Sequence, residues 1–248
     1  MATAEKPFDI TFPRGREEDR DQDEEFCEVA VDGEIRKIRF HDYHEIFKLP
    51  GLYEQLFYEE LKCDSPRTVA DLIGEQLDGE QRAALRVLDV GAGNGMVGEE
   101  LDELGAGTIV GVDIIEEAAE AAERDRPGLY DDYFVVDLTD IPADARTELE
   151  AKRFNCLTTV AALGFGDIPP EAFSAAYNLV DDDGLIAFNI KEKFVEDGDR
   201  SGFEQMIQTA LDDGTMELQA QRRYRHRLAV SGDPLYYIAI VARKRSDL

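Results

Sequence analysis

The residues best suited to chemistry are a glycine-rich run and three aspartates that follow apolar runs. Residues 91–95 read Gly-Ala-Gly-Asn-Gly and come directly after the largely apolar stretch 86–90. Glycines let a backbone turn tightly and approach a ligand, and a helix that begins there presents N–H groups to it. Counted from Gly93, the run also fits the dinucleotide spacing Gly-x-Gly-x-x-Gly, through Gly95 and Gly98. The run predicts a nucleotide-binding turn but does not choose the nucleotide.

Three aspartates discriminate among the nucleotide ligands. Asp89 lies just before the glycine run, where its carboxylate opposes the pyrophosphate of NAD but tolerates a ligand with a cationic amino acid group. Asp113 ends the next apolar run, IVGVDI, where a carboxylate can accept both hydroxyls of a ribose. Asp137 ends a further run, YFVVDLTD, where it can accept from the amino group of adenine. The three together fit a nucleoside that carries a positive amino acid and no phosphate, and we therefore expect S-adenosylmethionine as cofactor.

Each aspartate also has a structural interpretation that the sequence leaves open. Asp89 fits equally well a role in binding loop amides rather than ligand. Asp113 taken alone fits equally well a cap for the helix predicted to begin at Glu116. Asp137 taken alone fits a turn, although its place in the series favours the ligand.

The elements that position these residues alternate between strands and helices from residue 86 onward. We predict strands at 86–90, 108–113, 132–136, 154–160 and 184–190. We predict helices at 96–104, 116–125, 142–151, 170–179 and 201–212. This alternation is typical of a parallel sheet with helices on both faces. The last two strand-like runs have no helix between them, so they predict an antiparallel hairpin at residues 214–243.

The sequence divides into three predicted regions. Residues 1–25 are expected to form an acidic flexible arm, since 14–25 carry almost no apolar side chain. Residues 26–85 are expected to form an N-terminal hairpin and a helical cap, because Asp32-Gly33 favours a type I′ turn and Ser65-Pro66 resembles a helix start. Residues 86–248 are expected to form the main α/β domain.

Composition argues against several classes of protein. The chain has 248 residues, with 55 acidic and 27 basic side chains and a net charge of -28, so it should repel a nucleic acid backbone. No apolar run is long enough to span a membrane, and no signal peptide is evident. The 3 cysteines are scattered and never form a CxxC pair, which indicates reduced thiols in a cytoplasmic protein without a metal site.

Four segments in order, VLDVGAGNG, VGVDI, VVDLTDIP and LVDDDGLIAFNI, resemble the signature segments of class I S-adenosylmethionine-dependent methyltransferases. The resemblance implies an enzyme with a Rossmann-like fold, a seven-stranded, mostly parallel sheet with helices on both faces and a C-terminal antiparallel hairpin, and it identifies 86–248 as the methyltransferase domain. The stretches PGLYDDY and VAALGFGDIPPEAF more particularly resemble the uncharacterised branch related to the Williams–Beuren region methyltransferase. The implied cofactor-binding residues are Asp89, Gly91, Ala92, Gly93, Asn94, Gly95, Asp113, Ile114, Asp137, Leu138 and Ala161.

The methyl acceptor should bind at the carboxyl ends of the strands, at residues 162–167 and 189–194. Residues 41–62 are rich in aromatic side chains and precede the first sheet strand, so we expect them to form a lid over these strand ends, the alternative being an outer helix layer. No catalytic residue follows from the sequence, but His44, Tyr53 and Lys191 are candidates. The basic run 222–227 is interpreted as a solvated strand face. The alternative is that one of its residues binds an acidic acceptor.

Several specialised chemistries do not fit the sequence. Pro169-Pro170 lie too far from the strand at 154–160 for the motif of amino-group methyltransferases that act on bases, and Cys156 follows Asn155 instead of the proline that cytosine-C5 enzymes need. We therefore expect a small-molecule acceptor, with a protein or RNA methyltransferase as the first alternative. A non-catalytic nucleoside-binding protein of the same fold is the second, and an NAD dehydrogenase is disfavoured by Asp89.

Overall fold

The computed structural model describes residues 8–13, 24–163, 168–192 and 202–248, and their contacts divide the chain into two units. The first unit contains the described residues up to Asp64 together with Arg225–Leu235, and the second contains Ser65–Tyr224 and Tyr236–Leu248. The contacts divide the chain after Asp64, whereas the sequence predicted a boundary at residue 85, because the helix that follows residue 64 packs against the main sheet and its helices.

A small antiparallel sheet forms the frame of the first unit. Its strands are β1 (Ile10–Thr11), β2 (Phe26–Val31) and β3 (Glu34–Arg39), in the order β1-β2-β3. The predicted hairpin is confirmed, since Asp32 and Gly33 both have positive φ, at 55° and 84°, as a type I′ turn requires. The helix α1 (Tyr43–Phe47) and a π-helical segment (Glu54–Glu60) follow.

A seven-stranded sheet forms the centre of the second unit, in the order β6-β5-β4-β7-β8-β10-β9. Strands β4 to β8 are parallel, and β10 pairs antiparallel to β8, so the predicted fold class is confirmed. The strands are β4 (Arg86–Val90), β5 (Thr108–Asp113), β6 (Asp132–Val135), β7 (Phe154–Thr159), β8 (Val180–Lys191), β9 (Met216–Leu228) and β10 (Pro234–Lys244). The turn-side ends of β9 and β10 belong to the first unit.

Helices cover both faces of this sheet. They are α2 (Ser65–Gly74), α3 (Gly79–Ala83), α4 (Met96–Leu104), α5 (Glu116–Asp125), α6 (Ala143–Ala151), α7 (Pro170–Asn178) and α8 (Phe203–Asp212). Strand side chains alternate between two hydrophobic cores, so that Val87 packs in the core that contains Leu101 and Leu88 packs in the core that contains Phe173. Among the described residues, no helix is both long and apolar enough to cross a bilayer.

Candidate functional site

The glycine loop connects β4 to α4 at the carboxyl edge of the parallel strands. Gly91, Gly93 and Gly95 have φ values of 71°, 55° and 95°, a region in which only glycine avoids a steric cost. The first intrahelical hydrogen bond of α4 runs from the Glu99 amide to the Gly95 carbonyl, at 2.9 Å. The N–H groups of the first turn of α4 therefore point out of the helix, in the direction from which an anionic or polar ligand group is bound.

Asp113 is the last residue of β5 and is anchored to the glycine loop. Its Oδ2 accepts from the Gly93 amide at 2.9 Å, and its Oδ1 accepts from the Ile115 amide at 3.0 Å. Helix α5 has Ile115 at its N-cap and no side-chain cap, so the interpretation of Asp113 as a helix cap is wrong. Burial raises the pKa of Asp113, and the backbone amides oppose that shift. Each carboxylate oxygen has a second lone pair, which suits a ribose hydroxyl.

An apolar surface lies beside this carboxylate. The side chain of Ile114 is 62% exposed, which is unusual for an isoleucine next to a buried strand end. Val135, the register partner of Asp113 on β6, is also exposed, at 42%. A carboxylate flanked by apolar side chains is the combination that a nucleoside requires, because a ribose donates hydrogen bonds and a base offers an apolar face.

Asp137 lies beyond the end of β6 and is exposed. Its Oδ1 accepts from the Thr139 hydroxyl at 2.7 Å and from the Thr139 amide at 2.8 Å. These two hydrogen bonds lower the pKa of Asp137, so the group is a carboxylate at neutral pH. The turn that the sequence offered as an alternative is therefore present, and a contact with adenine stays a prediction. The neighbouring Leu138 is buried in the core.

Asp89 lies inside the sheet rather than on the ligand side of the loop. Its side chain is wholly buried, and its two oxygens accept from the Tyr130 hydroxyl and the Thr158 hydroxyl, each at 2.8 Å. Both oxygens are bound by hydroxyls rather than by loop amides, and a contact of Asp89 with the cofactor, directly or through water, stays a prediction. Burial raises the pKa of Asp89 to about 6, against the two hydroxyl donors, which favour the ionised form.

Three side chains from the segment after α5 hold the carbonyls of the glycine loop, and we call them the loop clamp: Arg126, Tyr130 and Tyr133. Arg126 Nη1 donates to the Asn94 carbonyl at 3.1 Å, and the Tyr133 hydroxyl donates to the Gly93 carbonyl at 2.8 Å. The Tyr130 hydroxyl, which binds Asp89, also lies 3.5 Å from the Ala92 carbonyl. The sequence did not predict this role, although two of the three side chains, Tyr130 and Tyr133, lie in the stretch PGLYDDY that resembles a family branch.

Close packing of the clamp segment explains the spacing of the later glycines. A Cβ on Gly98 would lie 2.9 Å from the ring and hydroxyl of Tyr130, and one on Gly95 would lie 2.9 Å from Leu129. Gly111 on β5 has the same constraint, since a Cβ there would lie 2.8 Å from the Tyr133 ring. Packing against these side chains therefore accounts for Gly95 and Gly98 in the Gly-x-Gly-x-x-Gly spacing read from Gly93, so the spacing alone does not indicate a dinucleotide.

Ala161 begins the acceptor side of the site, just after β7. It has a φ of 58°, and its amide donates to Asn189 Oδ1 at 2.7 Å. The next residue approaches the glycine loop, since a Cβ on Gly91 would lie 3.0 Å from the Cβ of Ala162. Of the two segments predicted to bind the acceptor, residues 164–167 and 193–194 lie outside the described part of the chain.

The three catalytic candidates are divided between the two units, with Lys191 in the second and His44 and Tyr53 in the first. Lys191 is the last residue of β8 in the second unit, at the same sheet edge as the glycine loop. His44 is exposed on α1 in the first unit, 3.5 Å from the Glu45 carboxylate. Tyr53 lies in a cluster of aromatic side chains of the same unit, with the centre of the Phe57 ring at 4.8 Å and tilted by 49°. A catalytic role for any of them stays a prediction, as does the lid formed by 41–62.

Three of the four arginines in the basic run 222–227 form ion pairs with glutamates of their own unit. The pairs are Arg222–Glu75 at 2.8 Å, Arg223–Glu192 at 2.5 Å and Arg227–Glu25 at 2.5 Å. The prediction of a solvated strand face is wrong for Arg227, whose side chain is only 5% exposed. Cys156 is buried within β7 and burial raises its pKa to about 12, which does not suit a nucleophilic thiolate.

Comparisons with known proteins agree with this geometry. A family model described as a methyltransferase domain matches residues 59–233. No curated protein matches the sequence. Among solved structures, an S-adenosylmethionine-dependent methyltransferase from Clostridium acetobutylicum is 14% identical with a TM-score of 0.53, covering 80% of this chain and 98% of its own. Magnesium protoporphyrin IX methyltransferase from Synechocystis, with bound cofactor, is 16% identical with a TM-score of 0.52, covering 81% of this chain and 95% of its own.

Proposed function

Because the chain belongs to the methyltransferase-domain family, we propose that this enzyme transfers the methyl group of S-adenosylmethionine to a small-molecule acceptor. The observation that carries the proposal is the anchored carboxylate of Asp113, which the Gly93 and Ile115 amides hold at the end of β5, beside the exposed side chain of Ile114. This arrangement places a carboxylate that can accept hydrogen bonds from the ribose hydroxyls next to an apolar surface that can contact the base.

The residues of the glycine loop fit the remaining part of the cofactor. Positive φ at Gly91, Gly93 and Gly95 lets the loop turn tightly, and the loop clamp binds the carbonyls of Gly93 and Asn94. The amides of the first turn of α4 are then the groups that bind the amino acid portion. Asp89 accepts a hydrogen bond from the Tyr130 hydroxyl, so its carboxylate helps to hold the loop clamp in place.

The cofactor supplies an electrophilic methyl group bonded to a sulfonium sulfur. The protein must therefore hold an acceptor nucleophile in line with that methyl group, exclude water, and receive a proton when the acceptor loses one. Positioning of this kind accounts for about 7–11 kcal/mol in the best model systems, whereas a general base adds about 10²–10⁴-fold. Positioning is therefore the larger contribution that this site must make.

Charge supports a small acceptor over a nucleic acid. The net charge of -28 repels a phosphate backbone, and a local basic patch is needed to overcome that field. The densest basic run has three of its arginines paired with glutamates, which removes the best candidate for such a patch. The net charge does not distinguish a small-molecule acceptor from a protein acceptor, so a protein substrate stays the alternative.

The proposal is tested by following a labelled methyl group. The full chain is incubated with cell extract and S-adenosylmethionine that carries an isotopic label in its methyl group, and the extract is then separated into small molecules, protein and RNA. We expect the label in a small-molecule fraction, in an amount that depends on the enzyme. Label in protein or RNA instead would replace the proposed acceptor class while keeping the methyltransferase.

A further inference from the structure

We propose that Asn189 is a positioning residue of the methyl-transfer site, which acts through the backbone of Ala161 and is itself oriented by the hydroxyls of Ser65 and Tyr224. The inference rests on the proposed function, because Ala161 matters only if the strand end after β7 faces the cofactor. All four residues belong to the second unit.

Ala161 holds a conformation that its own side chain disfavours. Its φ of 58° places it in the left-handed region, which is costly for a residue with a Cβ and persists only where the surroundings impose it. Its amide donates to Asn189 Oδ1 at 2.7 Å. Asn189 is wholly buried near the end of β8, so this hydrogen bond is shielded from competing water.

The orientation of the Asn189 amide is determined by its other partners. Its Nδ2 donates to the Tyr224 hydroxyl at 2.6 Å and to the Ser65 hydroxyl at 3.1 Å. A reversed amide would place an NH₂ group against the Ala161 N–H, donor against donor, so only one orientation satisfies all three contacts. Ser65 Oγ and the Tyr224 hydroxyl also lie 2.6 Å apart, which links the start of α2 to β9. A side chain from each of three elements thus determines one backbone conformation.

That backbone lies against the glycine loop. A Cβ on Gly91 would lie 3.0 Å from the Cβ of Ala162 and 3.3 Å from Ile168, so the segment after β7 and the loop after β4 are in close contact. A change in the backbone at Ala161 therefore moves the surface that packs against Gly91. This contact gives Asn189 a route to the cofactor site without touching the cofactor.

Replacing Ala161 by glycine distinguishes two possible roles of Asn189, because the two roles predict different affinities for the double variant. If Asn189 acts by holding Ala161 at positive φ, then Ala161→Gly should compensate for its loss, since glycine adopts this conformation readily. If Asn189 only fills space in the core, the effects of the two substitutions should add.

The test measures the affinity of the full chain for S-adenosylhomocysteine by titration calorimetry in a double-mutant cycle. We expect Asn189→Ala to weaken binding about tenfold when residue 161 is alanine. When residue 161 is glycine, we expect Asn189→Ala to change the affinity by no more than about threefold relative to the Ala161→Gly variant. The matched control is Asn155→Ala at the opposite sheet edge, where Asn155 accepts from the Arg86 amide at 2.7 Å and donates to the Ala84 carbonyl at 3.0 Å. That control should bind normally.

Two results would overturn the inference: unchanged affinity in a folded Asn189→Ala variant, or a loss of affinity that Ala161→Gly does not restore. Should Asn189→Ala fail to fold, Tyr224→Phe takes its place in the double-mutant cycle, because it removes a single hydroxyl. Ala161→Gly should then restore the affinity that Tyr224→Phe loses. A wild-type chain that does not bind S-adenosylhomocysteine would contradict the proposed function itself, so the two failures are distinguishable.

Discussion

Three carboxylates of the site occupy three different environments, and the environment determines what each can do. Asp113 is anchored by backbone amides at a strand end, Asp137 is exposed and bound to Thr139, and Asp89 is wholly buried between two hydroxyls. The amides and the hydroxyl of Thr139 favour the ionised form, whereas burial disfavours it. Only Asp113 combines a fixed position with a surface that a nucleoside can reach.

Removal of the Asp113 carboxylate should weaken cofactor binding strongly. We expect Asp113→Ala to reduce the affinity for S-adenosylhomocysteine by about 2–4 kcal/mol, because two hydrogen bonds to a charged group are lost and such bonds contribute about 1.5–3 kcal/mol each without strict additivity. Titration calorimetry measures the change. Asp131→Ala is the control, since Asp131 accepts from the Ile109 amide at 2.9 Å near the other end of β5. Unchanged affinity in a folded Asp113→Ala variant would remove Asp113 from the site.

Asp89 should make the free energy of unfolding depend on pH. Its pKa is about 6 in the folded chain against 3.8 for an ordinary aspartate, so the folded chain binds more protons between these values. This contribution to stability is therefore present at low pH and is lost as pH rises through about 6. The stability of the wild type relative to Asp89→Asn should fall as pH rises from about 4.5 to 7.

Denaturant unfolding at several pH values tests this expectation. Asp137→Asn is the control, because the pKa of Asp137 lies below 3.8 and its contribution to stability should stay constant from about pH 4.5 to 7. A difference between wild type and Asp89→Asn that does not vary with pH would show that Asp89 titrates normally.

At the scale of elements, the glycine loop is held by a segment that is remote in sequence. The loop clamp contacts the successive carbonyls of Ala92, Gly93 and Asn94, while Asp113 accepts from the Gly93 amide. The glycines at 95, 98 and 111 provide the space that Leu129, Tyr130 and Tyr133 occupy. The glycine loop and the clamp segment therefore pack and hydrogen-bond as one structural unit of the site.

Loss of one clamp hydrogen bond should weaken cofactor binding moderately. Tyr133→Phe removes the hydroxyl that donates to the Gly93 carbonyl, and we expect a loss of about 0.5–1.5 kcal/mol in the affinity for S-adenosylhomocysteine. Tyr177→Phe is the matched control, because the Tyr177 hydroxyl donates to the Thr215 carbonyl at the same distance of 2.8 Å but far along the chain from the loop. Equal affinities in the two variants would contradict a role for the clamp in binding.

The sequence predicted the elements around the glycine loop well because their signals are local. The bounds of β4, α4, β5 and α5 agree with the predicted ranges, since apolar runs and glycines mark each of them. Strand β8 begins at Val180 instead of 184, because its polar start carries no apolar alternation. The clamp and the Asn189 contacts were missed because they join residues 40 and 124 positions apart, and no local pattern encodes such pairs.

At the scale of the whole molecule, the division into two units changes how the predicted lid must be tested. Residues 225–235 belong to the same unit as the described residues up to Asp64. A chain that begins at residue 64 would therefore leave 225–235 without the rest of its unit. Substitutions in the full chain, such as Tyr53→Phe and His44→Ala, keep that unit intact and examine the candidate side chains directly.

The net charge of -28 should make stability depend on salt. A large excess of one charge destabilises the folded state through self-repulsion, and the screening length falls from about 10 Å at 0.1 M to about 3 Å at 1 M salt. We expect Tm to rise by at least about 2–4 °C, equivalent to about 1 kcal/mol, between low salt and about 1 M KCl. Calorimetric scans measure it, with sucrose at matched osmolality as control. A Tm that falls with KCl would show that ion pairs outweigh the repulsion.

The central claim is that the glycine loop and Asp113 bind a nucleoside that carries an amino acid instead of a dinucleotide. Titration calorimetry of the full chain with S-adenosylhomocysteine and, separately, with NAD tests it most directly. We predict saturable binding of S-adenosylhomocysteine at one site per chain and no measurable heat with NAD. Tighter binding of NAD than of S-adenosylhomocysteine would contradict the account.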